Sequence, residues 1–299
     1  MKAAIVYFSA SGTGDLVARS LEKAFLDQGW QVQRLNMAKD PALFPVPDYS
    51  RFLEKIRPHD LLITGGPVYI DRMHYNLTGL LAALPAPDGN RWGENAFVFS
   101  AFGKVNPGVA AADAAEILEA GGRRVLGALE ADCLHCISRH FEQPFSQGLP
   151  GEELEPLSRQ AAVSLTESVR EGKKESITSQ LTEEKAAHGT LPDERKVVAR
   201  SYKPLTFDPT ICNRCMRCVR HCPVNYLVIR EGFPATSEPD RCIHCTNCVY
   251  VCPTGAMAMD LSGKEPFLLE KLAAQGLTPD GPSRSRLRLA GQAEEANRE

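Results

Sequence analysis

From the first residue to about residue 172 the chain alternates two patterns. Short unbroken apolar runs give way to stretches whose apolar residues recur at helical spacing. AAIVYF (3–8) has no polar interruption, as a strand buried on both faces requires. GDLVARSLEKAFLDQG (14–29) follows with helical periodicity and stops at a glycine. WQVQRLNM (30–37), DLLITGGPVY (60–69), NAFVFSAFG (95–103) and RRVLGALEA (123–131) continue the strands. GVAAADAAEILEAGG (108–122) and EELEPLSRQAAVSLTESVRE (152–171) continue the helices. This alternation predicts an α/β domain over residues 1–172, a doubly wound parallel sheet with helices on both faces.

The pattern then changes. Residues 173–206 are rich in Lys, Glu, Ser and Thr with little periodicity, which predicts a polar, mobile linker holding one short helix. Residues 207–261 form a compact cysteine-rich segment. The tail, 262–299, offers one helix, PFLLEKLAAQG (266–276), before an end expected to be partly disordered. A chain of 299 residues suits two domains, and 43% hydrophobic residues can supply a sizeable core.

Charge and cysteine usage narrow the classes. A net charge of −3 gives no general attraction to nucleic acid or anionic lipid. No apolar run reaches the length of a membrane span. The opening MKAAIVYFSA reads as a strand from residue 2 and not as a signal peptide, so a cytoplasmic location is expected. In a reducing compartment ten cysteines read as ligands or redox groups before disulfides.

Eight of the ten fall in one pattern written twice. CNRCMRCVRHCP (212–223) and CIHCTNCVYVCP (242–253) are both C-x2-C-x2-C-x3-C-P. Paired zinc sites are the competing reading, but zinc hooks usually come in twos, without a trailing Cys-Pro. The segment resembles the bacterial two-cluster ferredoxins over its whole length. That resemblance implies a small α+β fold with two [4Fe–4S] clusters and crossed ligands. Cys212, Cys215, Cys218 and Cys252 would hold one cluster, and Cys242, Cys245, Cys248 and Cys222 the other. CPVNYL departs from the family by placing Asn225 and Tyr226 where small residues are usual. Arg214, Arg217 and Arg220 crowd the first run. They either favour the reduced, more anionic cluster or simply face solvent.

SASGTG (9–14) lies between the first strand and the first helix. Small hydroxyl residues there let amides and a helix N-terminus approach an anion. The spacing is neither G-x-G-x-x-G nor G-x4-G-K-[ST], and the loop has no lysine. A phosphate monoester therefore fits better than a dinucleotide or a nucleoside triphosphate. Here the chain resembles the flavodoxins, whose phosphate loop is matched through Ser9, Ser11 and Gly12. The loop departs from them at Gly14, where Thr13 would substitute for the usual hydroxyl. The resemblance implies the strand order 2-1-3-4-5, with FMN beyond the carboxyl ends of the strands. It also implies two loops flanking the ring. One carries Pro67, Val68 and Tyr69, with Tyr69 as a stacking partner. The other carries Phe102, Gly103 and Lys104, where Lys104 either stabilises an anionic reduced flavin or is an ordinary surface lysine. A flavin-free scaffold is the competing reading.

CLHC (133–136) leaves Cys133 and Cys136 without an assigned role, as a redox pair, half a metal site or idle thiols. A flavin that takes two electrons joined to clusters that pass one points to an electron carrier with redox partner proteins. A flavin-dependent reductase of a small molecule and a ferredoxin on a flavin-free adaptor are the alternatives. The cysteine segment is expected to have little apolar surface for a permanent internal interface, leaving its arginines to dock on a partner.

Overall fold

The computed structural model describes residues 1–44, 46–193, 196–197, 202–237 and 241–291. Five parallel strands make the frame: β1 (Lys2–Tyr7), β2 (Gln31–Asn36), β3 (His59–Tyr69), β5 (Trp92–Phe102) and β6 (Arg124–Asp132). A two-residue strand, β4 (Arg72–Met73), folds back on β3. The order across the sheet is β2-β1-β3-β5-β6, so counting only the parallel strands it is the expected 2-1-3-4-5. Register is continuous through the centre, with Ile5 beside Ile63 and Ile63 beside Phe97.

Period two hides inside the apolar runs and sorts them between two cores. Ile5, Tyr7, Ile63, Phe97 and Phe99 face one side, under α1 (Thr13–Asp27) and α5 (Leu154–Glu171). Ala4, Val6, Leu62, Ala96 and Val98 face the other, with α3 (Tyr75–Ala82) and the alanine-rich α4 (Ala110–Ala120). Both faces are covered, which is why the strands alternate in direction of burial but never in polarity.

Two expectations are corrected. The stretch 173–206 is not simply a tether. Its helix α6 (Thr178–Ala187) rests on α4, and Ile177 and Leu181 are buried in the core. Lys185 pairs with Asp113 and Glu116 at 2.9 and 2.6 Å. The two apolar side chains one turn apart are enough to hold a short helix that its composition alone would not.

The tail likewise returns to the sheet. A further strand, β11 (Arg286–Leu289), pairs antiparallel with β6 at the sheet edge. RLRL is a strand pattern, with Leu287 and Leu289 packed toward the α1/α5 core and the arginines on the opposite face. Arg288 bonds Glu130 at 2.9 Å and Glu184 at 2.6 Å, with Arg288 and Glu130 both about 4% exposed. Arg286 joins Glu130 at 2.9 Å. Two guanidinium groups around one buried carboxylate supply the compensation that a buried charge needs.

The cysteine segment is built from two small antiparallel pairs, β7 (Leu205–Phe207) with β10 (Met257–Met259) and β8 (Leu227–Arg230) with β9 (Phe233–Thr236). One-turn helices at Arg217–Arg220 and Asn247–Tyr250 occupy equivalent places in the two cysteine runs. Helix Lys264–Ala273 follows, as the sequence predicts.

Candidate functional site

The loop from β1 to α1 turns at Gly12, where φ is +99°. Ser9 is buried, and its Oγ accepts from the Asp15 amide at 3.0 Å while its own amide donates to Asn36 Oδ1 at 3.3 Å. Ser11 and Thr13 place their hydroxyls 3.3 Å apart on the outside of the turn. Among the described residues no acceptor faces the amides of Ala10, Ser11, Gly12, Thr13 and Gly14. Asp15 in the first turn of α1 is held by Arg34 at 2.7 Å and Arg19 at 2.7 Å and accepts from the Tyr7 hydroxyl. Burial, then that hydrogen bond to Asp15, push the Tyr7 phenol up. The carboxylate nearest the loop is thus neutralised, and a run of open amides at a helix N-terminus is a donor set suited to a phosphate.

The two loops expected beside a flavin ring lie at the same carboxyl end of the sheet. Pro67, Val68 and Tyr69 close β3, half-buried. The hairpin to β4 turns through Ile70 and Asp71, both with positive φ, +50° and +62°. A β-branched residue rarely adopts that conformation, and here the Asp71 carbonyl is fixed by the Val109 amide at 2.7 Å. The Tyr69 ring stands edge-on to His74 at 4.7 Å.

The loop after β5 differs from expectation. Phe102 is buried, and a Cβ on Gly103 would lie 2.5 Å from the His135 side chain, so only glycine fits. The Lys104 ammonium is 1% exposed and points inward, 3.5 Å from Asp132 and 2.6 Å from the carbonyls of Gly281 and Pro282. It anchors the tail, and the reading that placed it against a flavin is not met. A lysine that closes a contact 177 residues away gives no local signal of doing so.

Cys133 and Cys136 follow β6 and share the fate of that loop. Cys133 is sealed, its amide bonded to the Phe102 carbonyl at 2.7 Å and its thiol pushed up by burial. Burial pulls His135 down to about 4, so its ring is neutral.

The two cysteine runs repeat one another in backbone detail. Arg214 and Met216 in the first, His244 and Thr246 in the second, all carry φ between +53° and +58°. These four left-handed residues wind each loop around its three cysteines. Asn225 and Gly255 also correspond, at +50° and +72°, which explains the departure from small residues at 225: Asn is the side chain that best tolerates this conformation after Gly. Amides point at sulfur, from Arg214 to Cys212 at 3.4 Å, Tyr226 to Cys222 at 3.2 Å and Met257 to Cys252 at 3.4 Å.

Cys222 from the first run and Cys242, Cys245 and Cys248 from the second line one small cavity, walled by Val224, Leu227 and Met259. At the other end burial, with Cys252 and Cys215 adding to it, pushes the Cys218 thiol up. Burial pushes the Cys242 thiol up to about 11, Cys248 to about 12 and Cys245 well above its usual range. Among the described residues no trio of Cys, His, Asp or Glu converges tightly enough for a single ion. Four thiols around a cavity, with amides aimed at sulfur, are instead a donor set suited to a polynuclear iron–sulfur group.

The cysteine segment sits directly on the carboxyl end of the sheet. Asn247 Nδ2 donates to the Ala10 carbonyl and, at 3.3 Å, to that of His221. Arg139 donates to Asn247 Oδ1 at 2.7 Å and to the Cys245 carbonyl at 2.9 Å, and its guanidinium lies 4.5 Å from the centre of the Tyr250 ring. Thr246 Oγ1 donates to the Cys136 carbonyl at 3.2 Å, so His140, 3.0 Å away, donates to Thr246 from Nε2. On the other flank the Lys39 amide donates to the Pro223 carbonyl at 2.7 Å and its ammonium to that of Arg220. Ile137, Phe141, Phe145 and Leu272 add an apolar cluster against Tyr202 and Leu268. The expectation of too little apolar surface for an internal interface is therefore corrected: Val224, Leu227 and Ile243 of the cysteine segment are buried in one cluster with Ala10, Met37 and Ala42.

A family model described as 4Fe-4S dicluster domain matches residues 198–256. The chain joins a flavodoxin-like sheet to a 4Fe-4S dicluster domain. Rubredoxin oxygen:oxidoreductase from Desulfovibrio gigas is 17% identical over 56% of this chain, with a TM-score of 0.42, and this chain spans 36% of its length. A flavodoxin from the domain Archaea is 16% identical, covering 57% of this chain and 99% of that one, with a TM-score of 0.40. The Streptococcus pneumonia TIGR4 flavodoxin is 18% identical, covering 56% and 99%, with a TM-score of 0.41. Among curated proteins no relative was found. The dicluster match supports an electron-transfer role. Among the described residues no helix is long and apolar enough to cross a membrane.

Proposed function

We propose that this protein relays low-potential electrons between FMN, held at the carboxyl end of the sheet, and two [4Fe–4S] clusters, to or from a partner oxidoreductase. One observation carries the reading: the loop of open amides at 10–14 and the second cysteine run are in direct contact through Ala10 and Asn247. Ser9, Ser11, Gly12, Thr13 and Gly14 would hold the phosphate, and Pro67, Val68 and Tyr69 would border the ring. The crossed sets Cys212/Cys215/Cys218/Cys252 and Cys242/Cys245/Cys248/Cys222 would hold the clusters. FMN supplies the conversion between two-electron and one-electron chemistry. The chain's own part is to fix both groups at a short, dry separation.

Anaerobic purification with flavin, iron and sulfide counted is the direct test. About one FMN and two cubanes per chain are expected, and Ser11→Glu is expected to expel the flavin by placing a carboxylate among the phosphate donors. Stoichiometric flavin retained in that variant would put the phosphate elsewhere. Turnover of a small molecule by the isolated protein would favour the reductase reading instead.

A further inference from the structure

The two cysteine sets stand in unlike surroundings. Most polar contacts between the sheet's loops and the cysteine runs fall on residues near Cys222 or Cys245, with one longer reach from the Lys39 ammonium to the Val219 carbonyl at 3.5 Å. Arg220 and Pro223 receive Lys39, His221 receives Asn247, and the Cys245 carbonyl, Thr246 and Asn247 receive Arg139. Cys222 and Cys245 belong to the same set, the one that lines the cavity. Asn247, 9% exposed, is the common member, because its amide joins Ala10, His221 and Arg139 at once. Around the other set the surface is open. Ile211 is 49% exposed, Arg214, Arg217 and Arg220 are exposed, and the Arg214 guanidinium lies flat on Phe233, 4.1 Å from the ring centre.

Building on the relay reading, we infer that the Cys222/Cys242/Cys245/Cys248 cluster is the flavin-side station and the Cys212/Cys215/Cys218/Cys252 cluster the partner-side station. Asn247 and Arg139 are the positioning residues that hold the first of these against the flavin loop. The partner-side face, with three exposed arginines and an apolar rim, fits a protein surface bearing carboxylates. The chain's part is to hold the two groups on either side of the Ala10–Asn247 contact, across which only an electron, and no atom, would need to pass. The flavin would supply it, the Cys222/Cys242/Cys245/Cys248 cluster would accept it, and the Cys212/Cys215/Cys218/Cys252 cluster would pass it to the partner.

The test uses the full chain, purified anaerobically, with flavin and iron counted first. A preparation without flavin overturns the relay itself. With both cofactors present, rapid mixing follows electron equilibration between flavin and clusters. Arg139→Ala combined with Asn247→Leu removes charged and buried hydrogen bonds. It is expected to slow that equilibration about tenfold or more, with flavin, iron and both cluster EPR signals retained. As the second change, Arg217→Glu is expected to leave the internal rate unchanged and to slow oxidation by ferricyanide, an anionic probe, more at low salt than at high. An internal rate untouched by the first pair and collapsed by the second change reverses the order of stations. A measurement that needs no change at the interface decides the matter should the first pair fold poorly. Pulsed EPR of a flavin-centred electron is expected to show faster relaxation from a reduced cluster, an effect lost in Cys245→Ser and kept in Cys215→Ser. The opposite result overturns the assignment.

Discussion

The first and second cysteine runs share a spacing, a one-turn helix and equivalent left-handed positions. Yet the first keeps its arginines in solvent and meets the sheet's loops at its trailing end, on Lys39, while the second is pressed against them through Thr246 and Asn247. The first presents exposed arginines, while the second presents Thr246 and Asn247, both buried at the junction. The difference teaches that ligand spacing sets what a loop can hold, and the residues between the ligands set what that loop is next to. In C-N-R-C-M-R-C each pair between ligands ends in a long, charged arginine. In C-I-H-C-T-N-C the second pair is Thr-Asn, short and able to donate and accept at close range.

The largest effect should come from breaking the cross-over. Cys252→Ala is expected to cost the cluster of the first run, and Cys222→Ala the cluster of the second, each halving the iron content. EPR of the two variants should lose different signals. Loss of the same signal in both would mean that the trailing cysteines do not cross.

Next comes acid. His135 sits beneath the junction with a folded pKa of about 4 against an ordinary value of 6.5, lowered by burial. A group depressed in this way is neutral in the fold and takes up a proton on unfolding. Its contribution is whole above pH 6.5 and drains away as pH falls toward 4, about 3 kcal/mol in all. His135→Gln should flatten the decline in melting temperature across that window. An unchanged slope would place the acid sensitivity elsewhere, in the clusters first.

The smallest test compares the equivalent turns. Gly255→Ala puts a Cβ at φ +72° and is expected to cost about 1 kcal/mol, whereas Asn225→Gly at φ +50° should change stability by a few tenths. Denaturant titration of both variants checks this. Equal losses would show that Asn225 is kept for its bond to the Lys39 carbonyl, 3.3 Å away, and not for its backbone.

Much of this architecture is legible in the sequence, for reasons that also explain what is not. The strands follow from long apolar runs such as AAIVYF and NAFVFSAFG, because burial on both faces leaves a signal no loop can imitate, whereas their order is implied only by the resemblance that SASGTG carries. The cysteine pattern is legible because its spacing is strict. β11 is not, since four residues of alternation sit in a stretch of Pro, Ser and Gly and depend on Glu130, far away in sequence, to neutralise their arginines. The docking of the two halves is less legible still. Its acceptors are the main-chain carbonyls of Ala10, Pro223, Arg220 and Cys245, and a carbonyl leaves no mark on the identity of its residue.

Because β11 comes after the cysteine segment yet belongs to the sheet, the iron–sulfur unit is threaded through the flavodoxin-like unit and not appended to it. It is clasped at two points, by α6 on the way in and by Lys104 and β6 on the way out. A body held at both ends cannot drift a chain's length away, as a pendant domain can. The same threading orders biosynthesis. All eight cysteines of the repeat are made before Arg286–Leu289, the residues that complete the sheet edge.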